Sequence, residues 1–442
     1  MKTHYDAIVI GGGILGCMTA RNLRRWNIEI LLLEKEEDVC RGITKANSAI
    51  VYAGYDNKPG SLKAKLTVRG NQNMETLCRE LDVPFTRCGS LLVTYQEGAV
   101  SILQRKLENG VRSGVPGLRL LSGQEAETME PTLKKGVAAA LYAPSTGTVN
   151  PWKLGIAALE NALHNGAEAL MNQEVREIQR EADHFLVKTQ AEAYSCKMVF
   201  NCGGISADII QEMVGDSSVR LKLDGADYLV FDTLTQKPER VIFLQAESCG
   251  KGITAIPCVE GNLLISGIRK PVDVPFATIA EGLEEVYTAT ADLLPEVPMQ
   301  NVIRSFGAVR PNPYRASGES IPDFCIENPV PGFYSLMGIK TPGLTCANEL
   351  GLLLANRAAD YLGAGKNPDF DPNRKAISQR DYEIICQCEQ ISRAEILEAI
   401  ARGARSVEGV KRRVGSGMGR CQGSRCAYAI DKLLEEAGYG TV

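Results

Sequence analysis

The chain begins with an apolar run, Tyr5-Asp6-Ala7-Ile8-Val9-Ile10, that leads straight into Gly11-Gly12-Gly13-Ile14-Leu15-Gly16. The pattern predicts a strand, a tight turn, a helix over 17–26 and a second strand over 29–33 that ends at Glu34. That is the order a buried parallel sheet requires. In Gly-x-Gly-x-x-Gly, the first glycine (Gly11) permits the turn and the second (Gly13) lets backbone approach a pyrophosphate. The third, Gly16, allows close packing of helix on strand, and the phosphates rest at the helix N-terminus. Glu34, 18 residues beyond Gly16, is placed to accept hydrogen bonds from ribose hydroxyls. A dinucleotide site is therefore expected, and the turn by itself leaves FAD and NAD both open.

The rest of the chain bounds what can be built around that unit. Its 442 residues suffice for about three domains. A hydrophobic share of 44% with 23% charged residues is ordinary for a globular core. A formal charge of −4 argues against a nucleic-acid partner, because there is no basic excess to displace counterions. No apolar run approaches the ~18 residues of a membrane span, and the N-terminus runs into a strand without a signal-peptide pattern. A cytoplasmic protein is expected, with membrane contact only through a partner. Ten of the 14 cysteines are scattered singly: Cys17, Cys40, Cys78, Cys88, Cys196, Cys202, Cys249, Cys258, Cys325 and Cys346. A reducing compartment tolerates these as small hydrophobes.

Further parallel strands are expected at 198–200 and 333–337. Between them, residues 81–145 and 216–325 carry alternating runs such as Ser90-Leu91-Leu92-Val93-Thr94-Tyr95 and Tyr228-Leu229-Val230-Phe231, suited to an antiparallel sheet. The expected fold class is α/β. Residues 1–80, 146–215 and 326–365 form a Rossmann-type dinucleotide domain, with an antiparallel-sheet substrate domain inserted at 81–145 and 216–325. A helix over 347–362 is followed by a Gly-, Pro- and Asn-rich linker, 366–381, and by a small helical unit, 382–442.

Five segments carry a resemblance. They are Gly42-Ile43-Thr44-Lys45-Ala46-Asn47-Ser48-Ala49-Ile50, Thr146-Gly147-Thr148-Val149-Asn150-Pro151, Glu174-Val175, Asn201-Cys202-Gly203-Gly204 and Gly338-Ile339-Lys340-Thr341-Pro342-Gly343-Leu344-Thr345. In this order they resemble the D-amino-acid-oxidase-type flavoproteins, in the branch of the glycerol-3-phosphate dehydrogenases. The resemblance implies FAD as the dinucleotide. Thr44, Lys45 and Asn47 would lie along its phosphates and flavin, Val175 on the adenine side, and Gly203 beside the cofactor. Gly338, Gly343, Leu344 and Thr345 would close over the flavin. Thr345 is a candidate N-cap, and a helix starting there would direct its positive dipole at the flavin edge that gains negative charge on reduction.

Phe306-Gly307-Ala308-Val309-Arg310-Pro311 resembles the segment in which this branch holds an anionic substrate by arginine, a role suited to a planar bidentate fork. Lys340, next to the closing turn, is a candidate for binding substrate or stabilising reduced flavin. The branch carries a His and an Arg in the loop matching 50–57, where Tyr52 and Asp56 stand here. The three histidines, His4, His164 and His184, fall in no site motif. A histidyl flavin link is therefore not expected, and FAD should be non-covalent. Pro59-Gly60-Ser61-Leu62-Lys63-Ala64 instead resembles the L-2-hydroxyglutarate-oxidising relatives. An Arg-Gly-Glu-Tyr motif is replaced by Asp224-Gly225-Ala226-Asp227-Tyr228. Tyr52, Tyr228, Lys340 and Asp56 remain candidate proton acceptors.

Cys386-x-Cys388 and Cys421-x-x-x-x-Cys426 gather the remaining cysteines near the C-terminus. Ser392 and Glu395 form a capping box opening one short helix, and a second is expected over 428–436. Two short helices bury little, so a metal clip is physically useful. Four thiolates suit zinc or an iron–sulfur cluster. Glycines 415, 417, 419 and 423 leave backbone N–H groups near sulfur, and Lys411, Arg412, Arg413, Arg420 and Arg425 can offset a cluster's negative charge. The run from Lys411 to Gly423 resembles the bacterioferritin-associated-ferredoxin-like [2Fe–2S] domain, found at the same place in the large subunit of anaerobic glycerol-3-phosphate dehydrogenases.

Together these readings imply an FAD-dependent dehydrogenase that oxidises a small anionic hydroxyl metabolite. Electrons would pass through a [2Fe–2S] cluster to partner subunits of a hetero-oligomer. The alternatives are an amine, opine or imino-acid dehydrogenase, or an electron-transfer subunit without a substrate site.

Overall fold

The computed structural model describes residues 2–245, 251–267, 269–375, 377 and 380–439. Cys249 and part of the expected linker (376, 378 and 379) lie outside the described residues. The strand His4–Ile10 lies between Ala193–Asn201 and Ile30–Leu33, parallel to both. Glu168–Leu170 extends the sheet beyond Ile30–Leu33, and Phe333–Met337 runs parallel to the end of Ala193–Asn201. Ile10 is in register with both Asn201 and Leu33. Gly11, Glu34 and Cys202 are thus brought together at the carboxyl ends of three adjacent strands, where open α/β sheets bind ligands. His4–Ile10 and Ile30–Leu33 are apolar because helices cover the sheet. One of these, Ile14–Leu23, packs between Pro151–His164 and Gly343–Leu362, and Ala7, Val9, Met18, Leu32, Leu154 and Leu350 are buried together.

A second sheet, of nine strands among the described residues, stands beside the first. Its longest ladder pairs Val219–Phe231 antiparallel with Val302–Arg315, placing Asp224 opposite Arg310 and Tyr228 opposite Phe306. This sheet is antiparallel as expected, with one exception: Ser90–Thr94 runs parallel to Val241–Gln245. The reason is burial. All five residues of Ser90–Thr94 are inaccessible, as parallel strands covered on both faces tend to be.

In the C-terminal unit, a hairpin of Ile384–Cys386 and Ile391–Ser392 is followed by three helices, Arg393–Ala401, Val407–Val414 and Ala427–Glu436. Ile396, Ile400, Val410, Ile430 and Leu434 form their core. The capping box at Ser392 and Glu395 is present. The middle helix was not expected from the sequence. It is short and strongly basic, and is delimited by the Ser406 hydroxyl, which accepts from the Gly409 N–H, and by Gly415 at φ +87°. The helix expected over 347–362 begins at Gly343 instead, with Pro342 at its cap position. Thr345 is therefore not an N-cap. It sits inside the first turn, and its hydroxyl accepts the Tyr52 N–H at 3.0 Å. No helix among the described residues is long and apolar enough to cross a membrane.

Candidate active site and metal centre

At the strand ends, backbone is packed against backbone. A Cβ on Gly16 would lie 1.8 Å from the Gly11 carbonyl oxygen, and one on Gly11, at φ +101°, would lie 2.6 Å from the Cys202 carbonyl. Only glycines let the turn close here. Glu34 accepts hydrogen bonds from the N–H groups of Gly12 and Glu36, and burial pushes its carboxyl up from the usual range. Thr44 accepts the Ile14 N–H at 2.9 Å, tying the loop that follows Glu34 to the start of the helix. Asn47 folds back on that loop, donating to the Thr44 carbonyl and accepting the Ala49 N–H. Its side chain shapes the loop rather than reaching outward.

These elements line a continuous cavity of about 1170 Å³, larger than the ~300–1,000 Å³ of a typical small-ligand pocket. Gly11, Gly13, Glu34, Thr44, Lys45 and Asn47 line it, as do Val175 and Gly203. Gly343 and Leu344 form a further part of the wall. Gly16, Gly338 and Thr345 stand behind the wall, where they set the backbone.

The far end of the cavity is cationic. Arg310, Lys340, Lys63 and Arg269 line it together with Asp224, Tyr52 and Tyr228. Burial lowers the Arg310 guanidinium to about 10, with Arg269 adding repulsion. Burial and then Arg310 lower Lys340. Burial, then Lys340 and Arg310, bring Lys63 down to about 8. Arg310 meets Asn312, which donates to Asp224 at 2.8 Å. Tyr228 stacks on Phe306 at 4.7 Å between centroids, and burial pushes its hydroxyl up to about 12. Tyr52 stacks on Phe243 at 6.0 Å. Asp56 pairs with Lys106. None of the three histidines lines the cavity. Lys63 and Arg269 were not among the expected site residues. In the sequence Lys63 stands out only as part of the run that resembles the L-2-hydroxyglutarate-oxidising relatives, and no local pattern singles out Arg269.

In the C-terminal unit the thiols stand as two pairs. Cys388 and Cys421 are 3.5 Å apart, and Cys386 and Cys426 interact directly. The Gly417 N–H points at the Cys386 sulfur at 3.5 Å, and a Cβ on Gly419 would lie 2.6 Å from that of Cys388. Among the described residues no three ligating side chains close on a single ion position. A two-iron cluster, in which each iron takes two thiolates, suits two pairs of thiols better than one tetrahedral zinc does. Arg420 and Arg425 are exposed near Cys421. Arg412 and Arg413 do not serve the thiols as expected. They turn to Asp38, which Arg412 meets at 2.8 Å and Arg413 grips with both nitrogens at 2.7 and 3.0 Å.

A family model for FAD dependent oxidoreductases matches residues 6–357. The chain belongs to this family. A second model, for BFD-like [2Fe-2S] binding domains, matches residues 384–436. The FAD dependent oxidoreductase is 36% identical to a glycerol 3-phosphate dehydrogenase of Caloramator mitchellensis, covering 97% of this chain and 94% of the relative. It is 25% identical to an L-2-hydroxyglutarate dehydrogenase of Indibacter alkaliphilus, over 78% and 97% of the two chains. In fold it resembles the L-alpha-glycerophosphate oxidase of Mycoplasma pneumoniae with FAD bound, with a TM-score of 0.78 and 23% identity over 84% and 98% of the chains.

This flavoenzyme therefore carries FAD and a [2Fe–2S] cluster, and its residues fit both. The glycine turn leaves no room for side chains where a pyrophosphate would lie, and Glu34 has the chemistry to take ribose hydroxyls. The four thiols converge among glycines that leave their backbone accessible to sulfur.

Proposed function

We propose that this chain is the substrate-oxidising subunit of a dehydrogenase for small anionic hydroxyl compounds, passing electrons onward to a partner protein. The cationic end of the cavity carries this reading. Lys63 is buried and Arg310 and Lys340 are partly buried, yet none of the three forms an ion pair with a carboxylate among the described residues. An anionic ligand would supply the missing charge. The matched relatives named for glycerol 3-phosphate and L-2-hydroxyglutarate act on compounds of that description.

When bound, FAD supplies a hydride acceptor and the cluster a one-electron carrier. The chain's own residues bind and orient. Arg310, steadied by Asn312, takes the anionic group. Lys340, which burial and Arg310 keep below its ordinary pKa, accepts the hydroxyl proton as the C–H bond gives up its electron pair. Tyr228 is a poorer base, because its hydroxyl is pushed up to about 12, and it serves as a wall and hydrogen-bond donor. The first turn of Gly343–Leu362 lines the cavity and would present its positive end to bound flavin. With Tyr52 where relatives carry histidine, FAD is held without a covalent link, and acid precipitation should release it. Cys386, Cys388, Cys421 and Cys426 hold the cluster.

The test is anaerobic flavin bleaching by sn-glycerol 3-phosphate, L-2-hydroxyglutarate and secondary amino acids, followed by reoxidation with an artificial acceptor. Bleaching by a hydroxyl compound supports the proposal. Bleaching by amines alone would replace it with C–N oxidation, and bleaching by none would leave an electron-transfer subunit.

A further inference from the structure

Lys63 is placed where folding alone would not put a lysine. It lies in the first turn of the helix Leu62–Glu80, at the positive end of the helix dipole, where a cation is unfavourable. It is 8% exposed and faces Lys340 and Arg310, two further basic groups. The nearest carboxylate, Asp323, accepts the backbone N–H groups of Leu62 and Lys63. Among the described residues the ammonium meets the Pro322 carbonyl at 2.9 Å and the Phe324 ring but forms no ion pair. The helix dipole, the burial and the neighbouring basic groups each oppose a charged lysine here, and violations of local rules that agree in this way mark function rather than stability. Lys63 also lines the cavity beside the residues assigned to the substrate.

The charge count sharpens the point. With Lys340 neutral, as a proton acceptor must be, Lys63, Arg269 and Arg310 bring three cations to this end of the cavity, against the carboxylate of Asp224 that lines it. One carboxylate on a ligand would leave half of that excess unanswered.

We infer that Lys63 is a substrate-binding and specificity residue, and that the site is built for a dianion: a hydroxyl compound bearing a phosphate monoester or two carboxylates. This inference rests on the hydroxyl-oxidising reading above. Arg310 then holds one anionic group, with Lys340 at the substrate hydroxyl, and Lys63 admits the second negative charge. A monoanionic 2-hydroxy acid leaves Lys63 buried and uncompensated and binds poorly.

The experiment compares the FAD-loaded, full-length wild type with Lys63→Met and Lys63→Arg. The probes are sn-glycerol 3-phosphate, L-2-hydroxyglutarate and the monoanion L-lactate. Two readouts are taken: anaerobic bleaching kinetics, and the shift of the oxidised flavin spectrum on titration with malonate, which carries no hydroxyl to be oxidised. The dianion that bleaches the wild type should show KM raised roughly 30-fold or more in Lys63→Met, the scale of losing one partner of a buried charge pair. Malonate should bind more weakly by a similar factor, and Lys63→Arg should recover much of both. Loss of selectivity against L-lactate should accompany the change. If Lys63→Met keeps wild-type KM and malonate binding, Lys63 does not bind substrate. If the wild type prefers L-lactate, the dianion assignment fails although hydroxyl oxidation stands. If no hydroxyl compound bleaches the wild type, the parent reading fails, and malonate titration still decides whether Lys63 binds anions. A variant that loses FAD is read from Lys63→Arg instead.

Discussion

Two groups of withdrawn cations stand in contrast, and among the described residues only one of them is closed by an ion pair to a carboxylate. Arg412 and Arg413 close on Asp38, with all three side chains 6% exposed or less. Burial alone would push the Asp38 carboxyl up, but the hydrogen bonds and charges of the two arginines outweigh it and hold it below the usual range. Around this clamp, Arg402 and Arg374 share Glu160, and Ser406 donates to Glu37. The clamp joins the cluster-bearing unit to the loop just after Glu34. Its charges are answered within the protein, so it is structural. Lys63, Arg310 and Lys340 lack such a clamp; burial lowers all three pKa values, with added repulsion from Lys340 and Arg310 on Lys63, from Arg269 on Arg310 and from Arg310 on Lys340. The presence or absence of a counter-charge separates a joint from a binding site.

The contrast can be broken at either end. The largest effect is expected at the joint. Asp38→Ala leaves two arginines buried without their carboxylate, at a cost of about 3–5 kcal/mol. Denaturant unfolding followed through iron–sulfur absorption should shift to a lower midpoint than in the wild type. An unchanged midpoint would place the docking energy elsewhere.

At the open end, Arg310→Gln should lower kcat/KM for the bleaching substrate roughly 30- to 1000-fold, with FAD content retained. Stopped-flow bleaching measures the first and flavin release the second. A smaller effect comes from pH. Lys63 has its pKa lowered to about 8, so its charge is present below that pH and lost above it. KM for a dianion should therefore climb as pH rises through about 8, less steeply where the bound anion holds the proton on. The same group makes stability rise with pH above about 8, because the unfolded chain keeps its proton longer than the folded one. KM-against-pH profiles of wild type and Lys63→Met should converge at high pH, and parallel profiles would contradict the assignment. The smallest change belongs to neither group. Ser392→Ala removes one half of a capping box and should cost about 1 kcal/mol in a denaturation curve, leaving flavin bleaching untouched.

The parts that could be read from the sequence were those enforced locally. In the turn at Gly11, Gly13 and Gly16 the third glycine packs on the carbonyl of the first, so spacing reveals it, although Gly11 is also pressed by Cys202 from a distant strand. The cysteines 386, 388, 421 and 426 announce themselves by residue type and clustering. The capping box at Ser392 is likewise local. Thr345 shows the limit: its hydroxyl looked like a cap, but Tyr52, far away in sequence, takes it. The helix Val407–Val414 is not legible in the sequence because its few apolar positions mean little until Asp38 neutralises its arginines.

The sequence by itself determined that this chain builds a dinucleotide turn and a four-thiol unit, because glycine sterics and sulfur chemistry act at short range. Only the tertiary structure decided what its charges do. Lys63 and Arg310, 247 positions apart, become neighbours through the packing of Leu62–Glu80 against Gly343–Leu362 and the pairing of Val219–Phe231 with Val302–Arg315. Arg412 and Arg413 find Asp38 through the docking of one unit on another. Coulomb energy depends on distance and burial rather than on order along the chain, so the same residue type becomes a joint in one place and a substrate site in the other.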